Sequence, residues 1–139
     1  MRIPIFFSMG EEMPSIFMKM GPHVKRMKVI LDSAVFINTT SFPFSSKNDY
    51  VIPPACVGEI REPLAKSRLD AVLIERRVRI QEPVSSFVRS AKELAETHGI
   101  LRLSPADLEI VALGLESVSK KEKVVVCTDD YSIQNVLKW

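Results

Sequence analysis

Residues 124–136 read VVVCTDDYSIQNV. Val124 to Cys127 make a short continuous run of β-branched and small apolar residues, the pattern of a strand buried on both faces of a parallel sheet. Thr128, Asp129 and Asp130 follow at its carboxyl end, and Tyr131 to Trp139 reads as a closing helix. In an open α/β sheet ligands bind in the crevice outside the carboxyl ends of the strands. An acid in that position also has a plain structural reading, because Asp caps a following helix for about 1 kcal/mol.

The same arrangement stands near the start of the chain. Lys28 to Leu31 (KVIL) is a strand ended by Asp32, and Ser33 to Ile37 is a first helical turn or two. Between these two units, strands and helices alternate. Phe42 to Asp49 is a loop, Tyr50 to Ile52 a strand stopped by Pro53 and Pro54, and the next helix carries Val57, Ile60 and Leu64 on one side with Glu59 in its first two turns. Pro63 splits that helix, and Leu64 to Arg77 continues it. Val78 to Gln81 is a third strand, closed by Glu82 and Pro83. Phe87, Val88, Ala91, Leu94 and Ala95 then fall at helical spacing up to a His98-Gly99 exit, which makes His98 a capping residue. Ser104-Pro105-Ala106-Asp107 starts a further helix whose expected buried stripe is Leu108, Val111, Ala112, Leu115 and Val118. The order predicts an α/β fold, a parallel sheet flanked by helices on both faces.

The 139 residues suit one domain, 46% hydrophobic and 26% charged, and the formal net charge of +2 permits a nucleic-acid partner without requiring one. Cys56 and Cys127, the two cysteines, exclude a four-thiolate zinc site and read as small buried hydrophobes in a reducing compartment. Residues 1–26 scatter Met, Pro and Gly without period and read as a poorly structured extension to a domain at 27–139. Their apolar run is too short for a signal core or a membrane span, so the expected location is cytoplasmic.

Four acids converge on one sheet edge in this topology. Asp32 and Asp129 end strands, while Glu59 and Asp107 stand in helix starts that face the same way. Each has a structural alternative: caps for Asp32 and Asp129, a capping box for Asp107, a dipole-favoured first-turn acid for Glu59. Together they are harder to explain, since two carboxylates about 4 Å apart repel by about 4 kcal/mol at an effective dielectric near 20. Oxygen ligands without His or Cys suit Mg²⁺ or Mn²⁺, and such a centre suits phosphodiester hydrolysis. Ser33, Thr128 and Asp130 are possible supports. Arg61, Lys66, Arg68, Arg76, Arg77 and Arg79 are candidate phosphate contacts but alternate with Glu62, Asp70 and Glu75 as a solvated face does. Tyr131 is a candidate for stacking on a base or for packing at the helix start.

The segments KVILDSAVFI, VGEIRE, LSPADLEIVALGLE and VVVCTDDYSIQNV resemble the PIN-domain nucleases, and TDDYSIQN is most similar to the Nob-type (Nin one binding) endoribonucleases that mature the 3′ end of small-subunit rRNA. The resemblance spans Met27 to Trp139. It implies Asp32, Glu59, Asp107 and Asp129 as metal-binding catalytic acids, with Asp130 as a helper. It also implies Mg²⁺ or Mn²⁺ as cofactor, and RNA, as pre-rRNA or the pre-ribosomal small subunit, as partner. Proteins of this type commonly add a zinc ribbon after the domain; here no cysteine follows Cys127, and a C-terminal edge strand is also not visible. Toxin-type PIN ribonucleases acting on tRNA or mRNA share the acid pattern and are the alternative, as is a non-catalytic RNA-binding assembly module. Receiver domains, which hold Mg²⁺ on strand-end acids, lack a counterpart here for their paired acid after the first strand.

Overall fold

The computed structural model describes residues 5–6, 26–38, 42–100 and 103–137. Among these residues five strands form one sheet: β1 (Ile5–Phe6), β2 (Lys28–Leu31), β3 (Asp49–Ile52), β4 (Val78–Ile80) and β5 (Val124–Cys127). Their order across the sheet is β1-β5-β2-β3-β4, and every pairing is parallel. Six helices lie among the described residues: α1 (Ala34–Ile37), α2 (Pro54–Glu59), α3 (Pro63–Ile74), α4 (Ser85–Thr97), α5 (Pro105–Ser119) and α6 (Tyr131–Leu137). Among the described residues no helix is long and apolar enough to cross a membrane.

The strands at the middle of the sheet are continuous apolar runs because helices cover both of their faces. Val29, Ile30 and Leu31 of β2, Val51 and Ile52 of β3, and Val126 and Cys127 of β5 are fully buried. Strand β2 pairs with β3 on one side and with β5 on the other, with Val29 level with both Tyr50 and Val125. From β2 the chain winds outward through β3 and β4, then returns to the other side of β2 as β5. The reversal of direction lies between β2 and β5, and a crevice must open at their carboxyl ends.

Three expectations change. Helix α5 is buried nearly all round rather than along one stripe: Ala106, Ile110, Val111, Ala112, Leu113, Gly114, Glu116 and Ser117 are buried, whereas Leu108, Leu115 and Val118 are only partly covered. It packs between α4, the sheet and α6, so its apolar residues need not keep one face. Leu64 is exposed instead of joining Val57 and Ile60, because α2 ends at Glu59 and α3 restarts in a new direction. That restart is fixed by Glu62, whose carboxylate accepts from Leu64 N and Ala65 N at 3.0 and 2.8 Å, with Pro63 at the first helical position. Within the expected extension, Ile5–Phe6 pairs with Val126–Cys127 and takes the edge beside β5. A two-residue edge strand is held by backbone groups, so side-chain periodicity carries no sign of it. The rest of residues 1–25 lies outside the described residues.

Candidate metal centre and active site

Asp32 is the first residue beyond β2, and its N–H donates to the carbonyl of Cys127 at 3.0 Å, which locks it to the neighbouring strand end. The residue is 6% exposed. Ser33 N–H donates to Asp32 Oδ1 at 2.6 Å, and the fully buried Thr128 hydroxyl donates to Oδ2 at 2.7 Å. Burial nevertheless dominates and holds the Asp32 carboxyl above its usual range, with the Asp129 charge adding to the rise. Among the described residues no Lys or Arg pairs with it.

Glu59 reaches the same point from α2. The Ser33 hydroxyl lies 3.2 Å from Asp32 Oδ1 and 3.2 Å from Glu59 Oε1. One hydroxyl proton can serve only one of the two at a time. Cys56 completes the floor, its Sγ 3.9 Å from Asp32 Oδ1 and 4.0 Å from the Ala106 carbonyl oxygen. Ligand atoms of Asp32, Cys56 and Glu59 all lie within 4.8 Å of one another. Burial, reinforced by the Asp32 and Glu59 charges, raises the Cys56 thiol far above its ordinary value. The thiol therefore stays protonated and is a weak donor rather than a metal ligand, which leaves an oxygen donor set.

Asp107 stands in the first turn of α5 in a complete capping box: Ser104 Oγ accepts from Asp107 N at 3.1 Å, and Asp107 Oδ2 accepts from Ser104 N at 3.4 Å. Its carboxyl is pushed up to about 6, first by burial, then by the charges of Asp130 and Asp32. Asp129 is exposed and accepts from Asn38 Nδ2 at 3.2 Å, while Asp130 N–H donates to Thr128 Oγ1 at 3.0 Å. The structure thus brings Asp32 and Glu59 into one hydrogen-bonded unit through Ser33. Asp129, Asp130 and Asp107 lie outside that unit and bear on it as charges: Asp129 raises Asp32, and Asp130 and Asp32 raise Asp107.

The plain structural readings fare unevenly against this geometry. Asp107 is a capping acid as expected. Among the tandem acids the cap is Asp130, whose Oδ1 accepts from Ser132 N at 2.8 Å, and Asp129 is left for another role. Asp32 does not cap α1: that helix begins after Ser33 and has no side-chain cap. Glu59 is the last residue of α2, not a first-turn acid, and stands at the end of a helix where negative charge is disfavoured. Thr128 is too deeply engaged, donating to Asp32 and accepting from Asp130, to hold a ligand directly.

The candidate phosphate contacts divide. Arg61 is exposed just beyond Glu59, its Nε donating weakly to the Gly58 carbonyl at 3.4 Å. Arg68 is committed to the Phe36 carbonyl at 2.6 Å. Arg76 and Arg77 precede β4 and lie at the amino edge of the sheet, opposite the acids, so they cannot share a phosphate with them. The Tyr131 side chain lies outside the described residues. Three participants were not singled out from the sequence as site residues: Cys56, Asn38 and Glu109, whose Oε2 accepts from Ala55 N at 2.9 Å and so ties α5 to the first turn of α2. Only the position of Glu109 in the turn after the capping box hinted at such a role.

Comparison with known families settles the class. The family described as PIN domain of ribonuclease matches residues 29–116, most of the sheet and helices α1 to α5. The chain belongs to the PIN-domain family. The sequence is 35% identical over 113 residues to Endoribonuclease Nob1 of Methanothermobacter thermautotrophicus, covering 81% of this chain and 64% of that protein. It is 32% identical over 114 residues to Endoribonuclease Nob1 of Pyrococcus abyssi, with the same coverage of 81% and 64%. Ribonuclease VapC3 of Aeropyrum pernix is 31% identical over 112 residues, covering 80% of this chain and 79% of that protein. The PIN chain therefore spans about two thirds of the length of the Nob1 proteins and more of the VapC protein.

Proposed function

We propose that this PIN domain is a divalent-cation-dependent endoribonuclease and that its substrate is the 3′ end of small-subunit rRNA precursor. The observation that carries the chemistry is the buried Asp32 carboxylate, sharing one hydroxyl proton with Glu59 and paired with no cation among the described residues. Such a group is stabilised by an external cation. Asp32 and Glu59, with Asp129 and Asp107 at the rim, are the residues that would hold it, and the oxygen donor set favours Mg²⁺ or Mn²⁺. When bound, the cation lowers the pKa of water and offsets charge on the phosphate during in-line displacement.

The chain's own residues do the positioning. Thr128 and Ser33 fix both oxygens of Asp32 and thereby its orientation, as supporting hydrogen bonds do around metal ligands. Asn38 steadies Asp129. Asp107, raised to about 6, holds part of its proton near neutral pH and would release it as a cation enters.

The rRNA assignment is supported by the TDDYSIQN segment and the similarity to the Nob1 proteins. A VapC-like ribonuclease acting on tRNA or mRNA is the second reading, favoured by the fuller coverage of the Aeropyrum protein. Cleavage of a pre-rRNA 3′ fragment, a tRNA and an unrelated single strand, each with Mg²⁺, Mn²⁺ or EDTA, separates them. Selective cutting at the rRNA end is the expected result, selective cutting of tRNA supports the VapC-like reading, and binding without cutting supports a non-catalytic assembly module.

A further inference from the structure

The amino edge of the sheet carries a second concavity. A cavity of about 460 Å³ opens between the loop that precedes β3 and the turn from α3 to β4, a size that suits one small ligand. Its walls include Arg26, Arg76, Arg77, Glu75, Phe44 and Asn48. Two neighbouring cations at this edge are neutralised: Asp49 clamps Arg79 at 3.1 and 2.9 Å, and Lys28 pairs with Glu122 at 3.2 Å. Arg77 pairs with Glu75 at 2.9 Å, both more than half exposed. Arg26 reaches only the Ser46 carbonyl at 3.4 Å, and Arg76 has no ion pair among the described residues. Three cations and one acid leave the cavity with a positive balance.

A second, independent observation points to a ligand. Asn48 is 4% exposed, and its Nδ2 donates to the Tyr50 hydroxyl at 3.2 Å, but its Oδ1 is buried without a donor. The Tyr50 oxygen accepts from Ser45 N at 2.9 Å as well, and no neighbour among the described residues donates to Asn48 Oδ1. Buried acceptors are normally satisfied, and a donor from a bound molecule would satisfy this one. Arg76 also sits in the left-handed region at φ 59, one residue past the cap of α3, where glycine is favoured. Lys121 has the same conformation after α5, so the backbone alone is not diagnostic. What sets Arg76 apart is that it lines the cavity.

We infer that this cavity holds one nucleotide of an RNA strand at a distance from the acid cluster. The phosphate faces Arg26, Arg76 and Arg77, and a base amino group or ribose hydroxyl donates to Asn48 Oδ1. This rests on the ribonuclease reading above. Five residues of extended chain separate Met27 from Asp32, about 17 Å at the rise of a strand, or about five stacked nucleotides at 3.4 Å each. A long strand reaches both edges and a very short one does not.

Arg76→Gly tests this without risking the fold, because it removes the cation and installs the residue favoured at that backbone position. Binding of a labelled single-stranded RNA of about 20 nucleotides, measured by anisotropy in EDTA across a salt series, should weaken about threefold to tenfold with a salt slope smaller by about one. Glu75→Gln should tighten it. The preference in kcat/KM for that strand over one of about four nucleotides should shrink in Arg76→Gly. A wild type that cuts RNA while both variants bind it unchanged overturns the inference and leaves the nuclease reading standing. A wild type that binds with these variant effects yet never cuts does the reverse, and one that neither binds nor cuts overturns both. Competition by polyglutamate as effective as that by RNA would overturn the nucleotide assignment.

Discussion

Asp32 and Asp49 occupy opposite edges of one parallel sheet and differ in how their charge is met. Asp49, at the start of β3, is clamped by Arg79, and that hydrogen-bonded pair holds its carboxyl below the usual range despite partial burial. Asp32, just past β2, has hydroxyl, amide and thiol donors, and burial holds its carboxyl above the usual range. The amino edge satisfies its carboxylate from within the chain, whereas at the carboxyl edge none of Asp32, Glu59, Asp107, Asp129 and Asp130 forms an ion pair among the described residues. An uncompensated buried carboxylate weakens a fold. Its presence at the point where the sheet changes winding direction is what the proposed nuclease function rests on.

The comparison breaks most sharply under amide substitution. Asp32→Asn keeps the shape of the side chain but removes charge a cation needs, and cleavage should fall by about a thousandfold, the several kcal/mol a metal centre supplies. Asp49→Asn should leave cleavage within about twofold and cost about 1 kcal/mol of stability at most, the worth of a partly exposed pair. Single-turnover cleavage and thermal melts of both variants are the measurements. Comparable cleavage by the two would remove the distinction between the edges.

Cation binding gives the next largest effect. At free Mg²⁺ one hundredfold above its Kd the wild type should gain about 2.7 kcal/mol, or about 5 to 10 °C in Tm, provided the unfolded chain does not bind. Asp32→Asn should lose most of that shift and should be the more stable protein in EDTA, since one repelling charge is gone. Melts of the two proteins with EDTA and with Mg²⁺ decide it. A wild type whose Tm ignores Mg²⁺ and Mn²⁺ would leave the acids without their cation.

Titration sharpens the contrast further, because the two edges carry shifts of opposite sign. Asp32 and Asp107 are raised above 3.8, Asp107 to about 6, so the folded state holds more protons than the unfolded chain between those values. Stability in EDTA should therefore rise as pH falls from about 6 to about 4, by about 1 kcal/mol once the half exposure of Asp107 is allowed for. Asp49 is lowered, so its contribution is present above 3.8 and is lost as pH falls below that value. Denaturant melts between pH 7 and 3 should show a maximum, and saturating Mg²⁺ should flatten its acid-side rise.

The carboxyl edge was legible in the sequence where chain direction alone determines it. Apolar runs ending at Asp32 and Asp129, and a Ser-Pro-x-Asp helix start at Asp107, fix position without knowledge of neighbours. Glu59 was placed at the right edge with the wrong reason, because the short helix α2 ends there instead of beginning nearby. Cys56 and Asn38 were illegible as site residues, since each meets its acid only through tertiary contact, at 24 and 91 residues of separation. The basic residues before β4 read as one continuous face with Arg61 and Arg68, and only the sheet reveals that Arg76 and Arg77 stand at the far edge. Helix α5 defeated the periodic pattern by being covered on several sides.

The smallest expected effect concerns the tandem acids after β5, where capping and function divide between neighbours. Asp130 accepts from Ser132 N and caps α6, while Asp129 meets Asn38 and raises Asp32. Asn caps nearly as well as Asp, so Asp130→Asn should leave stability within about 0.5 kcal/mol. Asp129→Asn touches no cap and should also spare the fold, so stability cannot separate them. Cleavage at subsaturating Mg²⁺ can: Asp129→Asn should raise the cation concentration needed for half-maximal rate about tenfold or more, the usual penalty for disturbing a metal site's shell. Asn38→Ala, which frees Asp129 without removing its charge, should raise it only a few fold. If Asp130→Asn has the larger effect, the capping acid is also the ligand, and Asp129 belongs to the surface.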